Sequence, residues 1–193
     1  MRQNFILPQL PDAPHFHLMG HSFGCIVVSA CIAGPPGRGE PIRPVQSLAL
    51  VQGALSLWSY CADIPAAPGR FGYFHRVLAE HRVAGPILTT QSQYDFAVGR
   101  FYPFAAGLRR QLDFAPGELP RYGALGAFGA QGPGIAVKHL AMHPTDAPYA
   151  FEPGRVYNLD ASAFIAEVRD PLQGAHSDIA RPEVAHAVWS AAA

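Results

Sequence analysis

His15-Phe16-His17-Leu18-Met19-Gly20-His21-Ser22-Phe23-Gly24-Cys25-Ile26-Val27-Val28-Ser29-Ala30-Cys31-Ile32-Ala33 is the segment from which the architecture can be worked out. Its first five residues, set between Pro14 and Gly20, show no helical period and suit a short buried strand. From Ser22 to Ala33 the apolar Phe23, Ile26, Val27, Ala30 and Cys31 recur at three- and four-residue steps, which predicts a helix ended by Gly34-Pro35-Pro36-Gly37. Val45-Gln46-Ser47-Leu48-Ala49-Leu50-Val51 follows as a β-compatible run leading to Gly53. Strand, helix, strand is the order that builds a parallel sheet through right-handed crossovers.

The pattern continues with interruptions. Phe71 to Val83 reads as a helix, and Pro86 to Gln91 as a third strand between Gly85 and Ser92-Gln93. A helix over 97–112 is expected, kinked or delayed by Pro103. Phe114 to Gly154 is irregular, with Gly123, Gly126, Gly129 and Gly132 at three-residue spacing before Pro133-Gly134. It is longer than the roughly 2 to 6 residues of an ordinary connection between strand and helix, and is expected as a lid-like insertion or surface loop whose Leu125, Phe128 and Ile135 line an apolar pocket. Arg155 to Asp160 restores a strand, and Arg181-Pro182-Glu183 opens a last helix with Val184, Val188 and Trp189 on one face.

At 193 residues the chain fits one α/β domain, spanning residues 1–193. Fourteen basic residues balance fourteen acidic ones, so no surplus of charge favours nucleic acid or anionic lipid. Hydrophobic residues at 49% against 15% charged exclude an intrinsically disordered chain. Apolar stretches such as Ile26-Val27-Val28 fall far short of the roughly 20 residues of a membrane span, and Pro8 breaks the only apolar run near the N-terminus, so no secretory signal is read there. Cys25, Cys31 and Cys61 cannot all pair within one chain and form no CxxC; they are expected as buried free thiols, which places the protein in the reducing cytoplasm.

Gly20-His21-Ser22-Phe23-Gly24 satisfies G-x-S-x-G where the first strand gives way to the first helix. A chain that reverses sharply there holds its middle residue in a strained backbone, and glycines two before and two after are expected to remove side chains that would clash. Ser22 would stand clear of the sheet at the helix N-terminus, with the Phe23 N–H aimed at an oxyanion. The alternative is a tight turn with a helix-capping serine. A serine nucleophile needs a base, and the base an orienting acid. Asp95 follows the third strand by four residues, at the end of the sheet where open α/β proteins place functional groups, though it could instead cap the next helix. Asp160 and Asp63 are competing acids. Asp160 ranks lower, because it ends the strand that should itself deliver the histidine.

His176, in Gly174-Ala175-His176-Ser177-Asp178, lies on a small-residue loop after the last strand and before the last helix, which suits the base. His15 and His17 fall on the strand before the turn, where core or edge roles are expected, and His21 is read as a packing neighbour of Ser22. His139 and His143 have a spacing that could hold a metal on a helix, but no HExxH accompanies them, so they are read as solvent-facing or capping residues; no metal is expected. The Gly123 to Gly134 run lacks the following Lys-Ser/Thr of a phosphate-binding loop.

On Gly20-His21-Ser22-Phe23-Gly24, Tyr94-Asp95 and Gly174-Ala175-His176-Ser177-Asp178 the chain resembles the α/β-hydrolase family of the serine esterase and lipase-like kind, from about Phe16 to Ala192, with 114–154 unmatched. The resemblance implies a mostly parallel sheet flanked by helices, a serine acyl-enzyme, a small-molecule acyl substrate and no cofactor. The departure is at the front. The family has several strands before its nucleophile and a loop that supplies a second oxyanion donor, often from a His-Gly pair, whereas some fourteen residues precede the first strand here and none forms such a loop. The expectation is a C-terminal part of the fold: a truncated chain, a misplaced start, or strands supplied by a partner. A sheet edge left open in this way would favour self-association or a covering partner. The other functional class this allows is a non-catalytic, hydrolase-like interaction domain.

Overall fold

The computed structural model describes residues 14–35, 44–101 and 119–193. Five short strands form one parallel sheet: β1 (His17–His21), β2 (Ser47–Val51), β3 (Ile87–Gln91), β4 (Val137–Ala141) and β5 (Val156–Asp160), in the spatial order β1-β2-β3-β5-β4. Each pairing is parallel, with His21 beside Val51 and Gln91 beside Asp160, so the C-terminal ends of β1, β2, β3 and β5 line up along one side of the sheet. This is a general α/β architecture.

Side chains alternate across a strand, and the sheet divides its core accordingly. Leu48, Leu50, Ile87 and Val156 face one cluster with Cys25, Ile32, Tyr60, Phe74 and Val77. Val51, Leu88, Tyr157 and Leu159 face the other, with Ile165, Val184 and Ala187. Helices α1 (Gly24–Ala33), α2 (His75–Ala79) and the short α3 (Leu125–Phe128) contribute to the first layer, and α4 (Pro182–Ser190) to the second. A π-helical turn, Ala97–Phe101, follows β3. The rest of the helix expected over 97–112, Pro103 included, lies outside the described residues. So do Pro36-Gly37, the start of the 114–154 segment, and the N-terminal run ending at Pro8.

Several expectations are corrected. The described part of the segment expected as a lid is built into the domain. Val137–Ala141 is a strand of the sheet, which puts His139 on β4 and not on a helix. Leu125 is fully buried in the main core, and Phe128 and Ile135 pack against Leu57, Trp58 and Cys61 and not around a substrate pocket. The segment is also stitched down by backbone bonds: the Gly126 N–H donates to the Gly53 carbonyl, and the Ser92 N–H to the Gly126 carbonyl.

Helix α1 is the second correction. Its buried face is Cys25, Ser29, Ile32 and Ala33, while Phe23 and Val27 are 67% and 68% exposed. Apolar residues occupy nearly every side of this helix, so its periodicity could locate the helix but not choose its inner face. Cys31 falls on the outer side and is exposed, unlike Cys25 and Cys61. On α4, Val184 is buried but Trp189 is 74% exposed. Among the described residues no helix is long and apolar enough to cross a membrane.

Candidate active site

The turn from β1 into α1 shows why the sequence takes this form. Ser22 has φ 56°, in the left-handed region that side chains resist. Its N–H donates to the Val51 carbonyl, and its own carbonyl accepts the N–H groups of Cys25 and Ala54, so backbone bonds on both sides hold the strained residue. A Cβ on Gly20 would lie 2.6 Å from the Gly24 oxygen and 2.7 Å from the Cys25 nitrogen. Helix and strand are therefore in backbone contact at Gly20. Around a Cβ on Gly24 there is open space, so the second glycine of the motif is not there to avoid a clash, contrary to expectation.

Three loops meet at the C-terminal ends of the strands. His176 Nε2 lies 2.8 Å from Ser22 Oγ, and His176 Nδ1 lies 2.8 Å from Asp95 Oδ2. Asp95 is buried at 2% exposure and His176 at 8%, while Ser22 is half-buried. A buried carboxylate is an acceptor, so the proton between Asp95 and His176 sits on Nδ1, leaving the Nε2 lone pair to receive the Ser22 hydroxyl proton. Asp95 also fills the capping role weighed against catalysis, because Oδ1 accepts the Val98 N–H at 3.1 Å. The two roles use different oxygens.

The structure brings together Ser22, Asp95 and His176, and it places the competing acids elsewhere. Asp160 is exposed and spends Oδ1 on the Ser162 N–H, and Asp63 Oδ1 accepts the Gly69 N–H in a turn. Phe23 directly follows Ser22, and its N–H has no described acceptor. His17 is an edge residue bonded to Ser47 Oγ. His143 stacks on Tyr149, and no group of three His, Cys, Asp or Glu side chains gathers as a metal site among the described residues.

Two contacts escaped the sequence reading. His21 packs against the ring of His176 with centroids 5.0 Å apart, and its Nε2 bonds the His176 carbonyl at 3.0 Å. Burial pushes the His21 imidazole below its ordinary value, so near neutral pH it is uncharged and donates that bond through Nε2–H. Gln52, directly after β2, donates from Nε2 to Asp95 Oδ2 at 2.8 Å. A polar side chain directly after the apolar run Leu48 to Val51 was the available signal.

Fold and site together define a parallel α/β protein with a Ser-His-Asp hydrogen-bonded chain at the C-terminal ends of its strands. Comparison of the chain with protein-family models, curated proteins and solved structures finds no match.

Proposed function

We propose that the protein is a serine hydrolase of esterase type, related in design to the α/β-hydrolases, acting on an ester or similar acyl substrate. The observation that carries this reading is the unbroken chain from Ser22 Oγ through His176 to Asp95, with both links at 2.8 Å, ending on a serine whose backbone is held at positive φ. Caps and packing need none of that geometry. In the reaction, Ser22 Oγ attacks the acyl carbonyl as His176 Nε2 takes its proton, and Asp95 stabilises the imidazolium. The carbonyl oxygen becomes an oxyanion facing the Phe23 N–H. Collapse expels the alcohol, protonated by His176, and leaves an acyl-Ser22. Water, deprotonated by the same imidazole, then releases the acid and restores the serine.

The test is labelling by a fluorophosphonate probe. The wild-type chain should label at one site and Ser22→Ala should not; a well-folded wild-type sample that stays unlabelled overturns the reading.

A second reading, an interaction domain, is favoured by a separate observation. Among the described residues β1 pairs on one side only, with β2, and Met19, Phe23 and Val27 lie exposed on or beside it. An open strand edge flanked by apolar side chains favours association. Light scattering on a size-exclusion peak tests it, and a clean monomer counts against self-association.

A further inference from the structure

We propose that Gln52 is a positioning residue for the Ser22-His176-Asp95 chain: it fixes the Asp95 carboxylate in the orientation that receives His176 and keeps that carboxylate from drawing the proton too strongly onto His176. What the chain does chemically rests on the hydrolase reading; the placement of Gln52 does not.

Gln52 directly follows β2, one residue past the His21–Val51 pair as Ser22 is on β1, and is fully buried, so it cannot touch a substrate. Its φ of 45° is a backbone conformation that side chains disfavour, and the residue is held there by Thr90. The Gln52 N–H donates to Thr90 Oγ1 at 3.0 Å, and the Thr90 hydroxyl donates to Gln52 Oε1 at 2.9 Å. With its oxygen end committed to Thr90, the side-chain amide can present only its N–H₂ end to Asp95. Asp95 Oδ2 thus accepts two donors, Gln52 Nε2 and His176 Nδ1, while Oδ1 accepts Val98.

A buried carboxylate held by fewer donors carries a more basic charge and holds a neighbouring imidazolium more tightly. Gln52 spreads that charge. Among the described residues, the other titratable or charged groups near His176 are His21, tilted at 35° against its ring, and Asp178 and Arg181, which pair with each other beyond the same loop. Neither Gln52 nor Thr90 titrates, so the pair acts at every working pH.

The test uses Gln52→Met, which keeps the length and loses the donor, and Gln52→Glu, whose protonated form can still donate to Asp95. With p-nitrophenyl acetate as probe, Gln52→Met should lose about tenfold or more in kcat at unchanged KM. The acid limb of its kcat/KM profile should move to higher pH by about one unit. Gln52→Glu should keep the most activity where its added carboxyl is protonated and lose it once two buried carboxylates face each other. A folded Gln52→Met with the wild-type profile overturns the proposal, since a merely structural role would lower stability without moving the limb. If Gln52→Met does not fold, a wild-type profile in Gln52→Glu overturns it. A second readout needs no turnover: the downfield proton signal of His176 Nδ1–H, followed against pH, should change at higher pH in Gln52→Met than in wild type, and an unchanged titration also overturns the proposal. Failure of the hydrolase reading would show instead as a wild-type protein silent to fluorophosphonate.

Discussion

Asp95 and Gly174 pair as an isolated antiparallel bridge, and the Ala175 N–H donates to the Tyr94 carbonyl at 2.7 Å, so the loop bearing the acid and the loop bearing His176 are joined backbone to backbone. A Cβ on Gly174 would lie 2.1 Å from the Tyr94 oxygen, and φ there is +65°. Distances of 2.8 Å between side chains from separate loops are kept by this contact. Gly174→Ala should therefore push the two loops apart. A shift of about 1 Å costs on the order of 100-fold in rate, and the overpacking and positive φ cost about 2–3 kcal/mol of stability. Turnover of p-nitrophenyl acetate and thermal melting, measured together, check both parts.

On the hydrolase reading, the assignment of the acid is separable by substitution. Asp95→Asn removes the acceptor that fixes the His176 tautomer and should lower kcat by roughly 10⁴-fold, the scale known for such a change in serine proteases. Asp160→Asn should leave the rate within about twofold, because that carboxylate is exposed and occupied by Ser162. The opposite ranking would place the acid at Asp160.

How far the sequence could be read depends on which features are local. Strands β1, β2, β3 and β5 and the β1 to α1 turn were legible, because apolar runs, flanking glycines and G-x-S-x-G record local backbone needs. Ser22, Asp95 and His176 followed from their places at strand ends. The position of Gln52 after an apolar run was visible but its role was not legible, since that role depends on Asp95 arriving from a loop distant in the chain. Strand β4 was missed within a segment rich in glycine, where Val137-Lys138-His139-Leu140-Ala141 mixes polar and apolar residues. As an outer strand its residues are half-buried or exposed, which weakens the hydrophobic signal. The inner face of α1 was illegible because a helix apolar all round offers no contrast.

The two glycines of the motif should behave differently. Gly20→Ala drives a Cβ into backbone atoms of Gly24 and Cys25, which cannot rotate away, and should cost about 3 kcal/mol or more. Gly24→Ala meets open space at the first residue of α1 and should be neutral or stabilise by up to about 1 kcal/mol. Chemical denaturation of the two variants distinguishes them, and equal losses would contradict the contact geometry at Gly20.

The thiols offer a check on the orientation of α1. Burial pushes the Cys25 thiol up to about 12 and also raises Cys61, whereas Cys31 is exposed. Reactivity follows the accessible thiolate. One thiol, Cys31, should react with an iodoacetamide reagent in the native state near pH 8, and all three after unfolding, as read by mass spectrometry of digested protein. Fast native labelling of Cys25 would mean that α1 turns its other face to the sheet.

Asp178 anchors the far side of the His176 loop and sets a pH dependence. Its carboxylate, 8% exposed, receives the N–H groups of Ala166 and Glu167 at 3.1 and 2.9 Å and the Arg181 guanidinium at 2.7 and 2.8 Å. Burial alone would raise its carboxyl, but the Arg181 contact and the two backbone donors outweigh that and leave it below the usual value. A carboxyl lowered on folding stabilises the native state fully above its unfolded value near 4, and loses that contribution as pH falls through the lower folded value. Asp178→Asn should therefore cost about 2 kcal/mol at pH 7, with the gap from wild type closing below about pH 4. Melting curves from pH 7 down to pH 3 test this, and a gap independent of pH would show that the contribution of Asp178 is not its charge.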